Sequence, residues 1–559
     1  MQVSPSPSAY PPNEETSGMH LPLTPIRFLL WAADEYGDKV GIVDGDKRFA
    51  YRQFLDRAAR LSAAVQSLGV EAGDRVATLS FNCHPLLEAY YGIPMARAIL
   101  LSLNVRLAAE EQAYILEHSG AKVAIFDPEF LPLVDELRKS RPGIRWIPLY
   151  APPNPLSWVH SQTYEELLAA ASPESIDFTI YDENAIAELF YTSGSTGRPK
   201  GVMLSHRTLY LHALTALIGI YRRGEKRPAD QQVELHTIPL FHANGWGKAH
   251  TVTLTGGRHV MVKRFEPAHV LALIEREKVT GLCAVPTMAT ALVNCPELDR
   301  YDLSSLEEIM IGGAASSPSL IAETEAKLQC KVLAGYGLTE TSPVAMIAHL
   351  KDTLGAVSEE ERIRRQAMTG FSFPGVETRV ADAAGSDVPK DMRTMGEILF
   401  RGDLVMDGYW NEPEATAETV RDNWLHTGDI AVWDEHNYFL IVDRQKDVII
   451  SGGENISSLE IEKVIVAHPA VYETAVVAVP DEKWGEAPKA YVVLKPGASA
   501  TEDEIRDHVR KHLAGFKVPR TVAFEAELPK GATGKILKRA LRDPHWEGME
   551  KHVHGSGRS

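Results

Sequence analysis

Cysteine is scarce: Cys83, Cys283, Cys295 and Cys330 are the only four in 559 residues, and none falls in CxxC spacing. A chain of this length does not need disulfide staples, so the scatter fits a reducing compartment rather than a disulfide scaffold. No run approaches the roughly 18 consecutive apolar residues that cross a bilayer. There is no basic excess either. The 58 Lys and Arg stand against 75 Asp and Glu, giving a net charge of -17 and a pI near 5.7. Nucleic-acid binding draws on clustered cations, so a nucleic-acid partner is not expected. The first twenty residues, rich in Pro and Ser, lack the basic start and apolar core of a signal peptide and read as a flexible arm. The tail HVHGSGRS carries neither a prenylation box nor an SKL ending, which leaves the cytoplasm as the expected location.

The apolar content of 44% and charged content of 24% are those of a globular protein, and the length exceeds what one core supports, about 250–300 residues. Asp44-Gly45 marks a hairpin turn. Phe54, Ala58, Leu61, Val65 and Leu68 recur at helical spacing before Gly69, and apolar runs at 75–80, 99–103 and KVAIFD alternate with helical stretches from Pro85 and near 108–118. That alternation predicts βαβαβ with a buried, mostly parallel sheet. It returns after residue 185, with LHTIPL at 235–240, an amphipathic segment near 267–278 and GLCAVP at 281–286. From about 375 the runs shorten into a strand-rich module, and beyond 447 TAVVAVP, KAYVVL and a helix near 502–513 predict a compact α+β domain. His508 and His512, four apart in HVRKH, read as a solvated helix face with no third ligand nearby.

The strongest local signal is LFYTSGSTGRPKGVMLSHR at 189–207. An apolar strand runs into a loop crowded with Gly, Ser and Thr. Glycines let backbone N–H groups approach phosphate oxygens, and hydroxyls add donors. The ending is not that of a GxxxxGK[ST] loop, and a plain surface loop is the alternative from these residues alone. YTSGSTGRPKG, however, resembles the signature of the adenylate-forming superfamily, which holds acyl-CoA synthetases, peptide-synthetase adenylation domains and luciferase. The resemblance continues in order through PLFHANGW (239–246), IGGAA (311–315), GYGLTET (335–341), WLHTGD (424–429), DRQKDVIISGGENIS (443–457) and PKGATGKILKR (529–539). It therefore covers nearly the whole chain after the arm, and is closest to medium- and long-chain fatty acyl-CoA synthetases.

The resemblance implies an α/β fold. A large N-terminal domain of two α/β layers plus a strand-rich subdomain (21–445) is followed by a small mobile α+β domain (446–559). Thr192, Ser193, Gly194, Ser195, Thr196, Gly197 and Lys200 would bind the phosphates of ATP. Gly313, Ala314, Ala315, Gly335, Tyr336 and Gly337 would lie along the adenine, with close packing of a strand end as a compatible role for the small residues. Thr339 would contact the α-phosphate, and Glu340 with Thr196 would hold Mg²⁺. Asp429 and Arg444 would take the ribose. Lys535 would be the cation of adenylate formation. His242 is placed near the acyl carboxylate and Trp246 as a gate to the acyl tunnel, against the alternative of a core histidine and a packed tryptophan. Lys446 would be the hinge, and Ser451, Gly452, Gly453 and Glu454 the coenzyme A channel.

The activity so implied is an ATP-dependent acid–thiol ligase using ATP, Mg²⁺ and coenzyme A on a carboxylic acid, expected to be a medium- or long-chain fatty acid. An aryl or short-chain acid, a carrier-protein or amine acceptor, and a homodimer stay open. Two departures stand out. Ala334 replaces an amide common in relatives, and Ile450 stands where several relatives carry Lys.

Overall fold

The computed structural model describes residues 21–152, 162–173, 177–193, 198–220, 228–451, 454–530 and 536–547, without the side chains of Ser193, Ile220, Glu454 and Asn455. Among the described residues no helix is long and apolar enough to cross a membrane. The chain divides into two compact units, Met1–Glu377 with Arg401–Leu425, and Thr378–Phe400 with His426–Ser559. This partition differs from a single break at 445/446. The strands of 378–400 and 426–445 pair with one another, and Val442 and Asp443 at their end accept from Ser457 and Ser458 of the C-terminal part.

The first unit holds two sheets. One is six-stranded, in the order 145–148, 123–126, 75–79, 99–102, 186–193 and 199–205. Its pairs are parallel except the last, an antiparallel hairpin. The other is nine-stranded, and its parallel centre runs 331–336, 308–311, 281–284, 233–236, 258–261 and 40–44. The expected hairpin at Asp44-Gly45 closes its edge, with Gly45 at φ 59°. The strand expected through LHTIPL stops at His236, where Thr237 N–H turns back to Leu235 O and the Asn82 amide donates to the carbonyls of His236 and Ile238.

Parallel strands buried on both faces need apolar side chains throughout. Leu235, Val260, Leu282, Ile309 and Val332 pack with Val270, Ile274 and Ile321 of the neighbouring helices. Leu79, Leu101, Phe126 and Leu189 do so with Ile115, Leu116 and Val134. Several helices begin at a proline in their first turn, among them Pro267–Glu277 and Pro318–Leu328, where a missing N–H costs nothing.

In the second unit, a five-stranded sheet built on the long pair Val471–Asp481 and Gly485–Leu494 carries helices Ser458–Val466 and Glu502–His512. Ile461, Ile465, Ile505 and Val509 are buried against Val476 and Val492. Thr501 caps the second helix by a reciprocal bond with Glu504. His508 is half-buried and His512 exposed, and His468 lies beside them with its ring centre 5.2 Å from that of His508; among the described residues no group of three or more His, Cys, Asp or Glu could hold a metal ion. His508 Nε2 and His512 Nδ1 already bond the carbonyls of Val464 and His508.

The first unit also buries histidines. His206 and His212 are held at about 4 and His236 at about 3, against an ordinary 6.5, chiefly because burial penalises the imidazolium. His236 Nε2 lies 2.9 Å from His259 Nδ1 with the rings stacked, so these imidazoles are neutral in the fold. An unfolded chain binds their protons first. Stability from each is full above pH 6.5 and falls as pH drops from there towards about 4, at up to about 1.4 kcal/mol per pH unit. Calorimetry should record a markedly lower Tm at pH 5 than at pH 7.5; an unchanged Tm would show that these rings titrate normally.

Candidate active site

The YTSGSTGRPKG motif spans the paired strands Ile186–Ser193 and Pro199–Ser205, in which Thr192 lies opposite Lys200. Gly194, Ser195, Thr196 and Gly197 lie outside the described residues, as does the side chain of Ser193. The GYGLTET motif starts at the end of the strand Lys331–Tyr336 and continues into a short 3-10 turn, Thr339–Thr341. Thr339 is buried and Glu340 half-buried. Gly337 has no room for a Cβ against the Pro343 carbonyl, so a glycine is required there.

What joins these two motifs is a residue that the sequence reading did not single out. Residues 407–410 run antiparallel to the strand 199–205: Asp407 N–H donates to Met203 O, Met203 N–H to Gly408 O and Trp410 N–H to Gly201 O. Asp407 also accepts from Ser205 N–H at 2.9 Å. This lays the Tyr409 ring 5.0 Å from Lys200 Nζ, while its hydroxyl donates to Glu340 Oε1 at 2.8 Å. Burial and then the Glu340 carboxylate push the phenol well above its ordinary pKa, so it stays protonated and donates. The only sequence signal was an aromatic bounded by glycine, 69 residues from its partner.

IGGAA and FHANGW also meet. Gly312 and Gly313 follow the strand Glu308–Ile311, with Gly313 to Ala315 exposed. A Cβ on Gly312 would stand 2.9 Å from Gly335 O and 3.2 Å from the Trp246 ring, and one on Gly313 3.4 Å from the same ring. The small residues therefore seat an indole, in line with strand-end packing. Trp246 is 9% exposed and lies in a left-handed turn, in which Ala243, Asn244, Gly245, Trp246 and Gly247 all have positive φ. Left-handed backbone costs roughly 1–2 kcal/mol for each residue with a side chain, so the surroundings must hold it. His242 precedes this turn as its N-cap residue, half-buried.

The remaining candidates belong to the second unit. Asp429, 2% exposed, faces Arg444 across an antiparallel pair, with Oδ1 2.6 Å from Arg444 Nε. After Arg444 the chain turns, and the Lys446 carbonyl accepts from Arg542, which also pairs with Asp447 at 3.0 Å. Asp443 accepts from both the backbone and the hydroxyl of Ser458, which in turn accepts from Lys538 Nζ at 2.6 Å. Lys538 pairs with Glu462 at 2.7 Å. Burial works against its charge, but Glu462 and Asp443 outweigh it and hold its pKa above the ordinary value. Ser451 ends the strand Ile449–Ser451. Gly452, Gly453 and Lys535 lie outside the described residues, as does the side chain of Glu454. Ile450 donates its N–H to Glu486, and Ala334 is buried in its strand.

A parallel scaffold with a Gly/Ser/Thr hairpin beside a lysine and a carboxylate is that of a nucleotide-handling, adenylate-forming enzyme, and the comparisons agree. Residues 29–410 match the AMP-binding enzyme family and residues 460–535 its C-terminal domain. A long-chain-fatty-acid–CoA ligase of Thermus thermophilus is 41% identical over 89% of this chain and 90% of its own. A butyrate–CoA ligase of Arabidopsis thaliana is 37% identical over 94% and 93%. The crystal structure of ATP-bound MatB from Rhodopseudomonas palustris superposes with a TM-score of 0.82 at 28% identity, covering 94% of this chain and 99% of that one. The protein belongs to the AMP-binding enzyme family. Within it, the protein is an acid–thiol ligase.

Replacing Tyr409 by Phe removes one hydrogen bond to a partly buried carboxylate. Tyr409→Phe should lower stability by roughly 1–2 kcal/mol in a denaturant titration and raise the KM for ATP. An unaltered KM with the expected loss of stability would make the contact purely structural.

Proposed function

We propose that the protein converts a medium- or long-chain aliphatic acid to its acyl-adenylate, releasing pyrophosphate, and then transfers the acyl group to coenzyme A, releasing AMP. The observation that supports the site assignment is Tyr409, which links Glu340 to Lys200, itself opposite Thr192 in the hairpin. The 41% identity to a long-chain ligase supports the acid class, and the 37% identity to a butyrate ligase makes chain length the quantity to measure.

In the first step a carboxylate oxygen bonds to the α-phosphorus and the bond to pyrophosphate breaks. Charge builds between two anions, and a fixed cation lowers that barrier; we assign this to Lys535, with Lys200 and Thr192 on the phosphates and Thr339 at the α-phosphate. The backbone of Gly313 to Ala315 and the Tyr336 ring would take adenine, and Asp429 with Arg444 the ribose. Glu340 keeps one carboxylate oxygen beyond its bond with Tyr409. A lone hard ligand of this kind fits Mg²⁺, which takes most of its ligands from phosphate and water and would neutralise charge on the leaving group. In the second step the thiol sulfur bonds to the acyl carbon and AMP leaves, the thiol proton passing to solvent. Splitting the reaction replaces a poor leaving group by a good one. His242 would lie by the acid, Lys446 would be the pivot between steps, and Ser451 to Glu454 would line the thiol's approach.

Pyrophosphate release measured across a series of carboxylic acids, with and without coenzyme A, tests this reading. Acid-dependent release with AMP and thioester as products is expected. Lys535→Ala should slow adenylate formation by about two orders of magnitude or more while still converting preformed acyl-adenylate to thioester. Equal loss in both steps would remove Lys535 from its assigned role, and product formed on an amine or carrier thiol in place of coenzyme A would overturn the acceptor.

A further inference from the structure

The left-handed turn Ala243–Gly247 is tethered from below by a carboxylate with no role in the reaction just described. Glu188 is fully buried on the strand 186–193, five positions before Ser193. Its Oε2 accepts from Asn244 Nδ2 at 3.1 Å, and its Oε1 lies 2.6 Å from His250 Nε2. Asn244, at φ 43° and ψ 38°, closes the turn with its own side chain, whose Oδ1 accepts from Gly247 N–H at 2.7 Å. Gly247 rests on His212, leaving no space for a Cβ, which would fall 2.5 Å from Cε1. Side chains in consecutive left-handed positions persist only where such contacts over-determine them, and strain of this kind gathers at functional sites. The product of the strain is the position of one ring: Trp246, seated on Gly312 and Gly313.

We propose that Glu188 and Asn244 are positioning residues that set acid chain-length selection, by holding the left-handed turn so that Trp246 closes the space beside the backbone of residues 312–315. This rests on the ligase reading above, in which that backbone borders the adenylate. A buried carboxylate accepting from both an amide and an imidazole is a rigid anchor, because releasing either donor would leave a buried polar group without a partner. Loosening the anchor lets the indole leave its seat and opens the room that a longer acyl chain needs.

The test is kcat/KM for a homologous series of saturated acids with the full-length enzyme, ATP and coenzyme A. The readout is the ratio between the longest and shortest acids that the native enzyme turns over. Asn244→Gly removes the tether while favouring positive φ, and Trp246→Ala removes the ring. Both should raise the ratio by about tenfold, and the double variant should equal Trp246→Ala alone, because the tether acts only through the ring. Glu188→Gln keeps the volume and should move the ratio in the same direction; it decides the matter if Asn244→Gly does not fold. A ratio unmoved in the folded tether variant, or tether and ring effects that multiply in the double variant, would overturn the proposal. A native enzyme that makes no AMP with any acid would instead overturn the ligase reading, and this inference with it.

Discussion

The candidate site depends on two strand ends lying closer than side chains permit. Ile311 pairs with Ala334 in parallel register, and just beyond them Gly312 and Gly335 are so near that a single Cβ on the first would meet the carbonyl of the second. Open α/β sheets bind ligands beyond the carboxyl ends of their strands, and here two motifs leave the sheet at that edge side by side. At this close approach IGGAA and GYGLTET meet backbone against backbone. Trp246 lies against Gly312 and Gly313, and the turn that carries Glu340 begins a few residues further on.

Much of this was legible in the sequence because it is local. The Asp44-Gly45 hairpin, the helix ending before Gly69 and the helix near 502–513 each follow from a turn residue or an apolar period within one stretch of chain. The motifs were legible for the same reason: each is a continuous string. Tyr409 and Glu188 were not. The first reaches its place only because 407–410 pairs with a strand some two hundred residues earlier, and Glu188, within AELFY, looked like one polar residue in an apolar strand. A lone carboxylate at such a position reads as exposed until its partners, 56 and 62 residues on, are known. His468 beside His508, and the clustering of 378–400 with the C-terminal residues, were hidden by the same non-local pairing.

The two units solve one problem alike. Each holds an irregular segment by a buried ionisable group rather than by apolar packing: Glu188 under Asn244 in one, and Asp443 and Glu462 around Ser458 and Lys538 in the other. Buried ion pairs seldom add net stability over apolar residues of the same volume, since desolvation offsets their attraction, yet losing one partner is costly. Their worth is positional. An apolar contact tolerates sliding by a fraction of a side chain, whereas a buried carboxylate with two donors accepts one arrangement and penalises the rest. A left-handed turn beside Gly312, and a chain reversal after Arg444 whose Lys446 carbonyl is tied to Arg542, are conformations that nothing local would select. Placing the charges beneath them makes each geometry the one state in which those groups are all satisfied.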